Sequence, residues 1–163
     1  AFDASFVFTL GANYSRRVGG RADTSDALGH MPFYEFPDMD SMSLPQGCKI
    51  VGIELLDESV ELPSFHHPSK AAYILGPERG ELSAGMREKC DHVLKIPTKF
   101  CVNVGIAGAI VMYDRILSMG RFAPRPTRPG GPDAPHIRAR HGGPKFRSEA
   151  EKFRAPPPLN YND

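Results

Sequence analysis

Ile74-Leu75-Gly76-Pro77-Glu78-Arg79-Gly80-Glu81-Leu82-Ser83 decides how this chain is read, in combination with Ile96-Pro97 and Val102-Asn103-Val104 further on. In both places an apolar strand pattern stops at a loop containing Gly or Pro, and a helical pattern follows. Two such loops side by side are how an α/β domain builds a pocket for a small ligand beyond the carboxyl ends of its strands.

Working outward, residues 71–75 (Ala-Ala-Tyr-Ile-Leu) form the strand that enters the first loop. Ser83 is placed to cap a short helix running to about Cys90, weakened by Gly85. Residues 92–96 alternate into another strand, which Pro97 stops. From Asn103 to about Met119, Val104, Ala107, Val111 and Leu117, with Ile106, Ile110 and Ile116, cover most of one helix surface and predict a buried helix. Upstream, residues 49–55 (Lys-Ile-Val-Gly-Ile-Glu-Leu) read as a strand, residues 33–36 as a short one closed by Pro37, and residues 5–10 as a buried one ending at Gly11. Residues 12–30 are polar, with Arg16, Arg17 and Arg21 close together, and predict a loop with a short helical turn. Strands alternating with helical segments predict an α/β domain with a mostly parallel sheet.

The 163 residues provide for one such core and leave some for a tail. A formal net charge of only +1 hides an asymmetry: residues 121–163 hold 9 Lys and Arg against 4 Asp and Glu, whereas the first 120 hold 11 against 15. Nine of the sixteen prolines also follow Gly120, with almost no apolar periodicity. Residues 1–120 are therefore expected to fold and 121–163 to form a basic, Pro-rich, disordered tail, because the latter cannot bury enough surface to offset chain entropy. Such a tail suits an anionic partner such as RNA through counterion release, or is a solvated appendage.

Cys48, Cys90 and Cys101 are an odd count without Cys-x-x-Cys spacing, which argues against a disulfide framework and a zinc site and fits a reducing cytoplasm. The longest uncharged run, residues 100–113, is shorter than the roughly 20 residues a membrane span needs, and the start shows no signal-peptide pattern. No membrane or metal is expected. The chain opens on Ala1-Phe2-Asp3, almost directly into a strand, and reads as a fragment.

In Gly76-Pro77-Glu78-Arg79-Gly80 the glycines permit close backbone approach, so the loop can offer N–H and C=O groups to a flat ring such as adenine. Alone such a sequence is more often only a turn, and it lacks the G-x-G-x-x-G and P-loop patterns. Asn103 brings an amide to a helix N-terminus, where it can serve a ligand or merely cap the helix. His66 and His67 are adjacent, which suits neither metal ligation nor a triad and predicts a surface pair; His92 reads as a strand-edge residue.

The ordered combination is more specific than its parts. Gly76-Pro77-Glu78-x-Gly80-x-Leu82-Ser83, then Cys90-Asp91, Ile96-Pro97 and Asn103 before a small-residue helix, resembles the SpoU/TrmH family of SPOUT RNA methyltransferases. That family's motifs have the forms Gly-Pro-Glu-x-x-Gly-Leu-Ser and Ile-Pro-x(n)-Ser-Leu-Asn-Val-x-x-Ala. The match is strongest over residues 73–114 and thin before residue 49.

The resemblance implies a SPOUT-type α/β domain with a C-terminal trefoil knot, working as a homodimer that packs the helix beginning at Asn103 near its twofold. It implies an S-adenosyl-L-methionine pocket at Leu75, Gly76, Glu78, Gly80, Ile96, Val102 and Ala107. It implies methyl transfer to a ribose 2′-hydroxyl of tRNA or rRNA, with Glu78 and Asn103 as the matching catalytic residues. The family's first motif, Asn-x-Gly-x-x-x-Arg, does not occur here; Ala1-Phe2-Asp3-Ala4 resembles the end of the helix that carries it, which places the motif upstream of Ala1. Arg16, Arg17 and Arg21 do not reproduce its spacing and are expected to touch RNA phosphates. Cys101 stands where Ser is usual and is a weaker hydrogen-bonding partner. The competing readings are a relative that binds RNA or cofactor without catalysis, and an unknotted nucleotide-binding domain.

Overall fold

The strand and helix patterns are realised in a computed structural model that describes residues 2–11, 31–77, 80–120 and 122–132. The chain divides after Gly120 into two units. In the first, the order is β1 (Val7–Leu10), β2 (Phe33–Phe36), β3 (Lys49–Ile53), β4 (Val60–Glu61), a 3-10 turn (Leu62–Ser64), β5 (Ala71–Leu75), α1 (Ala84–Lys89), β6 (His92–Lys95) and α2 (Val104–Met119). The described residues of the second unit, 122–132, contain no helix or strand.

Among the described residues every strand pair is parallel, but the ladders form two sheets rather than one: β1 with β2, and a four-stranded sheet in the order β4-β6-β3-β5. Alternation along the strands divides the larger sheet's side chains between two layers. Val51 on β3 and Leu94 on β6 are fully buried, and with Leu62 and Val111 they form a core that Ile53, Tyr73, Ile96 and Ile110 extend. This is the layer between the sheet and α2. A second cluster of Ile74, Leu82 and Met86, joined by Ile50, Cys90, Met39, Phe8 and Leu10, lies among α1, the sheet and β1.

Gly52 explains how α1 comes so close to the sheet. A Cβ there would stand 2.9 Å from Cys90 Sγ and 3.1 Å from Leu82 Cδ1, so the strand lacks a side chain where the end of α1 rests. Burial holds the Cys90 thiol above its ordinary pKa, and its Sγ donates to Met86 O at 3.2 Å. At neutral pH this thiol is a packing group.

Two sequence expectations are corrected here. The His66-His67 pair is not a surface pair: His66 is exposed, but His67 is only 1% exposed. Its Nδ1 lies 2.6 Å from the Tyr73 hydroxyl and its Nε2 3.0 Å from Asp114 Oδ2, so polar partners from β5 and α2 make its burial affordable. Second, α2 is buried on one face only. Ala107 and Val111 press on the sheet, whereas Ile106 and Tyr113 are 56% and 55% exposed, because one helix lying on one sheet face can bury only one stripe.

Candidate functional site

The site forms where the carboxyl ends of the parallel strands stop, and the chain's local chemistry determines what is offered there. β5 ends at Leu75, and Gly76-Pro77 turn the chain away; Gly80 adopts φ +118°, a conformation that glycine reaches without strain. Leu82 then dives into the core, 5% exposed, and anchors the far end of this loop. Ser83 caps α1, its side chain accepting from Met86 N at 3.2 Å.

The second loop begins after β6 at Ile96. Thr98 N donates to Ile96 O at 2.7 Å and Thr98 Oγ1 to Phe100 O at 2.8 Å, so a hydrogen-bonded turn fixes the segment that leads to α2. Phe100 projects from it, 81% exposed. Asn103 is the N-cap of α2, and its Oδ1 accepts from Gly105 N at 2.9 Å. The amino end of a 16-residue helix therefore opens at the site, where partial positive charge and unpaired N–H groups favour electron-rich ligand atoms.

Between the loops is a cleft of about 280 Å³, close to the roughly 300 Å³ at which small-molecule sites begin. Of the residues the resemblance assigns to cofactor binding, Leu75, Gly76, Gly80, Ile96, Val102 and Ala107 all line it. Glu78 lies outside the described residues, as do Arg16, Arg17 and Arg21. Asn103 also lines the cleft, beside Thr98 and Cys101. Cys101 is exposed, so its thiol neighbours the cleft without being enclosed by it.

Glu54 was not singled out from the sequence. It follows β3 directly, its N–H donates to Leu94 O at 2.8 Å, and its carboxylate enters the lining of the cleft. Oε2 accepts from Leu82 N at 2.8 Å and Oε1 from Leu55 N at 3.1 Å. A charged residue directly after an apolar strand, at its carboxyl end, was the available signal. Among the described residues no group of three or more His, Cys, Asp and Glu is arranged to hold a metal ion, and no helix is long and apolar enough to cross a membrane.

A parallel sheet with a glycine-lined cleft beyond its strand ends is, among α/β domains, the arrangement at which small ligands commonly bind. The chain belongs to the SpoU rRNA methylase family, whose model matches residues 6–113. A mouse (Mus musculus) relative, the tRNA (guanosine(18)-2′-O)-methyltransferase TARBP1, is 26% identical over 72 residues, which are 42% of this chain and 5% of that protein. The chain thus matches a small part of this much longer relative. A crystal structure from Bacillus anthracis, provisionally described as an RNA methyltransferase, aligns with a TM-score of 0.51 at 21% identity over 69% of this chain and 74% of that one. That likeness is one of fold.

Proposed function

We propose that this chain is the cofactor-binding and methyl-transferring part of an S-adenosyl-L-methionine-dependent RNA methyltransferase that modifies a ribose 2′-hydroxyl of tRNA or rRNA. The observation that carries the reading is convergence. Six residues assigned to the cofactor from motif resemblance alone come from the end of β5 and its loop, the loop after β6 and the start of α2, and line one cleft.

The cleft's chemistry suits an adenosine-type group. Leu75, Ile96, Val102 and Ala107 offer apolar surface for a flat ring, Gly76 and Gly80 leave backbone groups approachable, and the amino end of α2 faces the same space. Bound S-adenosyl-L-methionine would supply a methyl group already activated on a sulfonium, so the protein's task is to align an acceptor oxygen and remove its proton. In this reading Asn103 orients the acceptor and Glu78 assists.

Phe100 and Lys99 lie on the loop that borders the cleft, and an exposed ring is a surface on which an unstacked base can lie. Arg16, Arg17 and Arg21 are assigned to RNA phosphates. The exposed face of α2, with Ile106 and Tyr113, is assigned to a homodimer contact, and the two loops to a trefoil knot; the cytoplasm is the expected compartment.

Methyl transfer is tested with labelled S-adenosyl-L-methionine and unmodified tRNA and rRNA transcripts, using the protein with whatever its gene encodes ahead of Ala1. Label in alkali-resistant dinucleotides, the mark of a methylated 2′-oxygen, is the expected result. Label on bases, or none with any transcript, would overturn the proposal; cofactor binding without transfer would favour the inactive relative.

A further inference from the structure

Glu54 makes a connection that neither motif requires. The bond from Leu82 N to its Oε2 joins the residue just after β3 to the last turn of the loop between β5 and α1, 28 positions away in sequence. The second bond, from Leu55 N to Oε1, fixes the direction in which the carboxylate points. A Cβ at Gly76 would stand 3.7 Å from the same Oε2 and 3.5 Å from Leu82 N. Carboxylate, Leu82 amide and Gly76 backbone are therefore stacked closely at one wall of the cleft.

We infer that Glu54 is a positioning residue, whose carboxylate straps Leu82, beside Gly76, to the end of β3 and so sets the shape of the cleft. For its effect on affinity the inference rests on the reading of the cleft as the S-adenosyl-L-methionine site; for its effect on the loop it does not. Hydrogen bonds from backbone N–H groups to a carboxylate are among the stronger ones, and this one ties Leu82, at the end of the loop, to the residue that follows β3. Apart from packing by Leu82, the described backbone bonds of the loop begin only at α1, with Arg87 N donating to Ser83 O. A carboxylate serves two N–H donors at once. Methionine has a similar length and volume but neither carboxylate oxygen, so Glu54→Met removes both bonds at once.

The test compares the 163-residue chain with E54M, and with Glu54→Asp in case the methionine variant fails to fold. Hydrogen exchange is read by mass spectrometry without ligand, and affinity for S-adenosylhomocysteine by calorimetry. The expected result is exchange at Leu82 faster by about 10-fold and binding weaker by about 10-fold, with amides of β3 and β5 as protected as before. Unchanged protection at Leu82 would overturn the strap, and so would faster exchange with unaltered affinity, which reduces Glu54 to a local structural contact. Should the unaltered protein bind no S-adenosylhomocysteine, the cofactor reading fails, and exchange at Leu82 alone decides whether the strap exists.

Discussion

His67 shows what one residue can conceal in a sequence. Arg115 donates to the Tyr73 hydroxyl at 3.1 Å, and that hydroxyl, which burial keeps protonated, is left to give its own proton to His67 Nδ1. Nε2 is then the nitrogen that donates to Asp114, an assignment that follows from the bonding pattern. Nothing in the His66-His67-Pro68 run reveals this, because the partners lie 6 and 47 positions away. Replacing His67 with Ala should leave a cavity and strand Tyr73 and Asp114, costing about 2–4 kcal/mol in urea unfolding. Asn103 poses the opposite problem, since its capping bond to Gly105 N would exist whether or not it acts on a substrate. Asn103→Ser keeps a capping oxygen but removes the amide, so the functional reading expects methyl transfer to fall by roughly 10-fold or more with a stability change under about 0.5 kcal/mol. Equal activity in N103S would leave Asn103 as a cap alone.

At the scale of elements, strands with clear boundaries were legible and short or shared ones were not. β3, β5, β6 and both helices follow from alternation, proline stops and capping residues. β4 is only Val60–Glu61, two exposed residues whose pairing with β6 is decided by the chain around them, so no local pattern marks it. The exposed face of α2 was misread because apolar spacing reports that a helix face avoids water, not which surface covers it. The cleft was legible through its loops, whereas Glu54 was not, because its role depends on a loop 28 residues on. Element ends are also where pH acts. Asp91, just before β6, lies 2.6 Å from Lys49 Nζ and accepts from Ile50 N at 2.8 Å, which together hold its carboxyl below the usual carboxylate range. A lowered folded pKa adds stability above the unfolded value, and that stability is lost as pH falls through the folded one. Thermal melts should therefore show wild type declining below about pH 4, and Asp91→Asn should flatten that decline.

For the whole molecule, charge and proline separate the chain at the same place where it divides into two units, after Gly120. An acidic first part joined to a basic second one is an arrangement in which the second would supply much of the attraction to phosphate. Deleting residues 121–163 is expected to weaken RNA binding and flatten its dependence on salt, read from binding isotherms at several salt concentrations. An unchanged slope would reduce the tail to a solvated appendage.

The central claim is that the cleft between the loops at Gly76 and Asn103 receives the methyl donor. Titration with S-adenosylhomocysteine followed by backbone amide NMR tests this most directly. Saturable shifts concentrated on Gly76, Gly80, Val102 and Ala107 are the expected result; no shifts at millimolar ligand, or shifts confined to residues away from the cleft, would overturn this assignment.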